Sequence, residues 1–248
     1  MTAGSIRVGI GGWTYEPWRG GAFYPEGLPQ KRELEYAASK VTCIEINATY
    51  YGRQKPESFA KWADAAPDGF RFSLKASRYA NARKVLAEGG DSIATFLGQG
   101  FTRLGDKLGP ILWQFRDGKK FDRDDFARFL SLIPDKQDGV PLRHALEVRD
   151  ESFRDPAFLD MCRARNMAVV FADSDEFPCI DEQTADFTYA RLQRSQADEV
   201  TGYSKAAIDH WAKQAKSWSH KGRDVYVLFI SGAKERNPAA AQAMIASL

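Results

Sequence analysis

The 248-residue sequence predicts an α/β fold: a (β/α)8 TIM-type barrel built as a single domain over residues 1–248, with a shortened or irregular sixth helix. Three observations carry that expectation. Eight apolar runs of strand length alternate with helix-period segments from end to end, polar residues recur inside the strands, and the length suits eight βα units in one domain. An open doubly wound sheet is the rival, but its central strands are covered on both faces and usually read apolar throughout.

In order, the strands are "IRVGIG" (6–11), "CIEIN" (43–47), "FRFSLK" (70–75), "ILWQF" (111–115), "HALEVR" (144–149), "AVVFAD" (168–173), "FTYARL" (187–192) and "VYVLFIS" (225–231). The segments between them carry helix starts. Pro56, Pro156 and Pro238 each follow a polar residue, where a first helical residue belongs. Asp91 precedes Ile93, Phe96, Leu97, Phe101 and Leu104 at helical spacing, and Asp122 precedes Phe126, Phe129, Leu130 and Ile133. Ser204 opens a helix that presents Ile208, Trp211, Ala215 and Trp218 on one side and stops near Gly222. Only "SDEFPCIDEQTAD", between the sixth and seventh strands, is too broken for a full helix.

Composition narrows the class. Hydrophobic residues make up 44% and charged ones 27%, as in ordinary globular proteins, and no apolar run is long enough to span a bilayer. The start, "MTAGSIRVGI", lacks the apolar stretch of a signal peptide, and Cys43, Cys162 and Cys179 are odd in number with no CxxC. A cytoplasmic protein without membrane partners is the expectation. A net charge of +2 is too balanced to indicate nucleic-acid binding across the whole surface and leaves room for a local basic patch.

Strand parity then yields a site. Side chains alternate faces along a strand, so Glu45 and Asn47 share the inward face with Cys43, while Ile44 and Ile46 face the helices. The same test turns Lys75, Glu147, Arg149, Tyr189 and Arg191 inward, and sets Gln114, Asp173 and Ser231 at inward or terminal positions. Most of this charge falls toward strand C-termini, the end at which barrels of this kind build active sites. Three acids and three bases could also satisfy one another as a plug, but an apolar plug would stabilise the barrel equally well, which favours function. The loop "GGWTYEPWRGGAFYPEGLP" (11–29) adds aromatics. Trp13 and Tyr15, nearest the strand end, are placed to stack on a ligand, with Trp18, Phe23 and Tyr24 expected to roof the barrel or pack on the first helix. Tyr50 follows the second strand, and Arg78 belongs to a basic stretch, "KASRYANARK", suited to an anion.

The segments "GWTYEPWRGGAFYPEGLP", "EINATYY", "PESFAKWADAAPDGFRFSLKASRY", "LGDKLGPILWQF", "HALEVRDESF", "ADFTYARL" and "GRDVYVLF" stand in an order and spacing that resembles the YecE-like domain-of-unknown-function family, over nearly the whole chain. The resemblance implies a (β/α)8 barrel. It brings no established activity, although nucleic-acid processing has been suggested for the family from barrel similarity. Asn81-Ala82 stands where the family pattern leads one to expect Thr-His, Asp150 where His is usual, and "FISGAK" where Asn or His is usual. With His144, His210 and His220 placed away from the strand C-termini, no histidine-based metal site or proton shuttle is expected, and no cofactor.

GxGxxG, GxxxxGK[ST] and GxSxG are all absent, so dinucleotide, P-loop and hydrolase-elbow chemistry lack support. Two readings follow. In the first, a metal-independent enzyme uses Glu45 and Glu147 as general acid and base, with Lys75 as an alternative Schiff-base former. Its small anionic or polyhydroxylated ligand would be held by Trp13, Tyr15, Asn47, Tyr50, Arg78, Gln114, Arg149, Asp173, Tyr189 and Arg191. In the second, the basic loop and aromatics form a single-stranded nucleic-acid binding or processing module.

Overall fold

The eight expected strands form one parallel sheet in a computed structural model that describes residues 3–248. They are β1 (Ile6–Gly11), β2 (Cys43–Ile46), β3 (Arg71–Lys75), β4 (Leu108–Gln114), β5 (His144–Glu147), β6 in two parts (Ala168–Val169 and Phe171–Asp173), β7 (Phe187–Leu192) and β8 (Asp224–Phe229). Neighbours in sequence are neighbours in space, and β8 pairs with β1 through Ile6 and Val225. The ring is completed through β6. Its first part pairs with β5, Ala145 opposite Ala168, and its second with β7, Arg191 opposite Ala172. Between the parts, the Val170 N–H still donates to the Leu146 carbonyl at 3.0 Å, so the run continues across the interruption.

Helices follow most strands: α1 (Glu33–Ala38), α2 (Ala48–Tyr51), α3 (Pro56–Ala65), α4 (Arg78–Asn81), α5 (Gly90–Leu97), α6 (Arg123–Leu132), α7 (Pro156–Ala164), α8 (Lys205–Trp218) and α9 (Asn237–Ser247). Capping explains several starts. Asp122 accepts from the Asp125 N–H, Asp155 from Ala157 and Ser204 from Ala207, each satisfying an N–H with no partner inside the helix. Asp91 does not cap α5. It lies in the first turn, because a 3-10 turn at Leu86–Gly89 leads into the helix and makes Gly89 the residue before it. Residues 174–186 contain no helix, as the broken pattern there predicts.

One hairpin departs from the expected order: Lys136–Gln137 pairs antiparallel with Val140–Pro141 across Asp138-Gly139. Both turn residues have positive φ, 49° and 79°, the pattern that Asp-Gly favours in a tight hairpin. Among the described residues, no helix is long and apolar enough to cross a membrane.

The ring interior follows the parity argument. Cys43, Leu112, Ala145, Ala168, Val170, Tyr189 and Leu228 pack together inside it, whereas Ile44, Ile46, Trp113 and Leu146 join the larger core between sheet and helices. At Gly9 a Cβ would stand 1.8 Å from the Cys43 carbonyl oxygen, so β1 approaches β2 in a way that only glycine permits.

In the loop after β1, Trp18, Phe23 and Tyr24 are buried, and the rings of Phe23 and Tyr24 pack on Tyr36 of α1, so they join the first helix as expected of one alternative. The Trp18 indole donates to the Lys234 carbonyl at 3.0 Å, and the Tyr24 hydroxyl donates to the Trp13 carbonyl at 2.5 Å. The first and last βα loops are thereby fixed to each other. Replacing Trp18 by Ala removes a fully buried indole and this hydrogen bond. A loss of about 3–5 kcal/mol in urea unfolding is expected, with Trp18→Phe costing less.

Candidate functional site

At the C-terminal end of the ring, inward positions on three non-adjacent strands bring Glu45, Glu147 and Arg191 together. Arg191 donates from Nε and Nη2 to the two Glu45 oxygens, each at 3.1 Å, and from Nη1 to Glu147 Oε2 at 2.5 Å. All three are buried, with 0%, 0% and 3% exposure, so water screens little of the interaction. The Tyr189 hydroxyl donates to Glu45 Oε2 at 2.9 Å and lies 2.6 Å from Ser73 Oγ, which in turn donates to it. Gln114 donates to Glu147 Oε2 at 3.0 Å.

Two carboxylates around one guanidinium leave an excess of one negative charge, which Arg149 and Lys75 offset. Arg149 Nε stands 3.6 Å from Glu147 Oε1, too far for a hydrogen bond, and both buried atoms lack one. Arg149 is held instead by Asp117 Oδ1 at 2.6 Å and by the Phe177 ring, whose centroid is 4.1 Å from its guanidinium carbon. Burial would raise the Glu147 carboxyl, but Arg191, Arg149, the Gln114 hydrogen bond and Lys75 together hold it below its ordinary value.

Lys75 differs from the other cations. It is 8% exposed and forms no ion pair among the described residues, and its Nζ lies 4.2 Å from the centroid of Tyr50. Burial, with Arg191 next in weight and Arg149 adding to it, pulls the ammonium down to about 8 against the opposing pull of Glu45 and Glu147.

Above this charged floor is a cavity of about 540 Å³. Its cationic lining comprises Lys75, Arg149, Arg191 and Lys234, and among the described residues no carboxylate lines it. Trp13, Tyr15, Asn47 and Gln114 complete the expected part of the wall. Glu45 and Glu147 lie beneath the cavity, where they orient the guanidinium groups. Tyr189 supports Glu45 and Tyr50 backs Lys75, while Tyr51 reaches the wall in place of Tyr50.

Two expected residues are not brought to the cavity. Arg78 is exposed on α4, 5.1 Å from the Tyr79 ring centroid. Asp173 pairs with Arg194 at 3.3 Å: Ala168 and Val170 set the inward parity of β6, leaving Asp173 on the face where Phe171 packs against Trp211 and Trp218. Lys234, Asp117 and Phe177 were not among the expected site residues. "FISGAK", which stands where the family pattern has Asn or His, supplies Lys234, whose Nζ is 4.4 Å from the Tyr15 ring centroid. Phe177 stands in the stretch too broken for a helix, where an aromatic residue has no helix face to serve.

The remaining histidines are remote. His144 is buried at the N-terminal end of β5, accepts from Trp113 Nε1 at 3.1 Å and donates to the Pro134 carbonyl at 2.9 Å. Burial pulls it down to about 4, which keeps it neutral. His210 and His220 are exposed. Among the described residues no group of three or more His, Cys, Asp or Glu side chains is placed to hold a metal ion.

Arg191→Leu leaves two buried carboxylates facing each other and is expected to cost about 3–5 kcal/mol at neutral pH. The pH dependence should reverse as well. In the native protein Glu147, held low, contributes stability above its unfolded pKa that fades as pH falls through the folded value. In Arg191→Leu one carboxyl is raised, so its contribution is present in acid and lost as pH rises through that raised value. Urea titrations across the acid range should show the deficit shrinking on acidification.

Comparison with known proteins agrees with the architecture. The model of the family described as "Protein of unknown function DUF72" matches residues 7–248. The UPF0759 protein YecE of Escherichia coli K12 is 28% identical over 126 residues, which cover 45% of this chain and 43% of that protein. The matched part thus spans less than half of that relative. The UPF0759 protein YunF of Bacillus subtilis strain 168 is 20% identical over 257 residues, covering 90% of this chain and 88% of that protein. A solved DUF72 family structure from Enterococcus faecalis V583 superposes with a TM-score of 0.76 at 19% identity, covering 99% of this chain and 98% of that one. Another from Thermotoga maritima MSB8 gives 0.73 at 22%, covering 97% of each. The strand order, the closed ring and a match from residue 7 to the C-terminus lead to one assignment: this chain belongs to the DUF72 family, which includes the YecE-like proteins.

Proposed function

We propose that the chain is an enzyme that takes a small anionic substrate at the C-terminal mouth of the barrel and reacts with it through Lys75. The observation that carries this reading is a buried amine, unpaired and held near 8, in the wall of a cavity whose other charges are all cationic. Arg191, Arg149 and Lys234 attract and orient the anion, and Tyr15 and Trp13 offer rings beside it. At pH 8 about half of such a lysine is free amine. That amine adds to a substrate carbonyl, and the resulting carbinolamine takes up a proton from solvent and loses water to give an iminium ion. Glu45 and Glu147 serve as positioning residues in this reading, because they are ion-paired below the cavity.

A second reading, a single-stranded nucleic-acid module, draws on the exposed Tyr79 and on Arg53 and Arg78 around it. It has fewer free donors than the sequence suggests. Arg83 folds back onto the Tyr79 carbonyl and the Ser92 hydroxyl, which occupies donors that would otherwise reach a phosphate.

Glyoxylate, an anionic aldehyde, probes the first reading when cyanoborohydride supplies hydride to reduce the iminium to a stable carboxymethyl amine. Peptide mass mapping should find Lys75 modified ahead of the exposed Lys55 and Lys84, with a half-maximal rate near pH 8 and competition by inorganic phosphate. Lys75→Met should lose that adduct alone. Modification of Lys75 no faster than that of the exposed lysines would overturn the assignment.

A further inference from the structure

The turn after β8 combines strain with restraint in the cavity wall. Ser231 lines the cavity with φ at 63°, a left-handed value that a residue with a Cβ adopts only at a cost, and Gly232 follows at 56°. Only glycine fits the second place, because a Cβ there would stand 2.7 Å from the Ser195 carbonyl oxygen. The loop after β7 holds the turn in this shape. The Ala233 N–H donates to the Ser195 carbonyl at 2.8 Å, the buried Ser195 hydroxyl donates to Asn237 Oδ1 at 2.8 Å, and Asn237 Nδ2 donates to the Ser231 carbonyl at 3.1 Å. Backbone strain that its surroundings enforce in this way clusters at ligand clamps.

The same turn leaves donors free. Among the described residues the N–H groups of Ser231 and Gly232 meet no acceptor, and Lys234 forms no ion pair, its Nζ resting on the Tyr15 ring. The arginines of the cavity are committed elsewhere: Arg191 gives three donors to Glu45 and Glu147, and Arg149 is held by Asp117. Lys75 and Lys234 are therefore the two cations of the wall that no carboxylate pairs among the described residues. Ring order sets them apart, since β2 and β1 lie between the strand of Lys75 and β8. Both nonetheless line the same cavity, whose 540 Å³ is in the range that takes a ligand much larger than glyoxylate.

A ligand matching this layout carries a carbonyl at one end, for the Lys75 amine, and at the other an anion with several oxygens, for an ammonium, two N–H groups and the Ser231 hydroxyl. A phosphate monoester suits that end, because its three terminal oxygens accept from donors arriving on different sides. Barrels of this kind frequently bind phosphate at the loops after their last two strands. We propose that the substrate is a phosphorylated aldehyde or ketone, its phosphate seated on the Ser231-Gly232 turn and Lys234 and its carbonyl at Lys75. This rests on the Lys75 reading of the proposed function and adds the far end of the substrate. The phosphate takes no part in bond making; it holds the carbonyl beside the amine.

Paired aldehydes test the assignment. Glycolaldehyde phosphate, glyceraldehyde 3-phosphate and erythrose 4-phosphate are each compared with the same aldehyde lacking the phosphate. Cyanoborohydride reduces the iminium to a secondary amine, and peptide mass mapping reads the rate at Lys75. In at least one pair the phosphate should raise that rate about tenfold or more, the scale of charge-assisted hydrogen bonds, with no such advantage at the exposed Lys55 and Lys84. Lys234→Gln should cut the ratio at least about fivefold, and Lys234→Arg should keep most of it. Ser195→Ala, which loosens the turn from outside the cavity, should lower it in part. Because the ratio is taken within each variant, a general loss of folding or of lysine reactivity divides out.

Labelling of Lys75 by glyoxylate and the plain aldehydes with no phosphate advantage would overturn this inference and leave the Lys75 reading in place. An advantage undiminished in Lys234→Gln would put the phosphate on the arginines and overturn it as well. No preference for Lys75 with any aldehyde would remove both.

Discussion

One guanidinium sets the geometry of the barrel mouth. Arg191 reaches two carboxylates whose strands are separated from its own around the ring, and its fork fits Glu45 through two donors and Glu147 through a third. A lysine could not do this, because a single ammonium has no fixed planar array with which to span two acceptors. Burial makes the arrangement demanding. Removing these charges from water costs several kcal/mol each, and only close pairing with remaining lone pairs satisfied recovers it. Tyr189, Ser73 and Gln114 supply much of that satisfaction, while Glu147 Oε1 and Arg149 Nε are left facing each other without a hydrogen bond.

The layering of charge follows from this constraint. With the acids sunk below the cavity and the bases above them, Arg191 is oriented by two carboxylates that do not line the cavity. A pocket walled by unsupported cations would repel itself; here the negative layer beneath holds it together. Lys75 has a different environment because no carboxylate oxygen among the described residues comes within ion-pair distance of it, and burial, then the nearby Arg191, disfavours its charged form. Burial and the Arg191 guanidinium therefore lower the Lys75 ammonium, while the two carboxylates of the floor pull the other way.

Much of this was legible from strand parity. Glu45, Glu147 and Arg191 occupy alternating positions in short apolar runs, and a closed ring leaves a polar residue there only one place to point. Asp173 was misread because parity on β6 is fixed by Ala168 and Val170, while a terminal aspartate can pair with a neighbour outside the ring. Lys234, Asp117 and Phe177 were beyond the reach of that method. They sit in loops, where no period fixes direction, and they join the site only because the chain brings the loops after β4, β6 and β8 to one end. The Asp138-Gly139 hairpin is a different case: the dipeptide is a strong turn signal in so short a stretch, but it lay between elements that already filled the eight-unit pattern.

Glu45 and Arg191 are 146 residues apart in the chain, and Trp18 meets Lys234 across 216. Contacts so distant in sequence form late, since long loops must close before any reward is felt. During synthesis from the N-terminus, Glu45 and Glu147 therefore emerge well before the partner that neutralises them, and the clasp between the first and last loops awaits almost the whole chain. A half-made polypeptide exposes its acids to water and has no assembled mouth, so the lysine acquires its unusual environment only once the ring has shut.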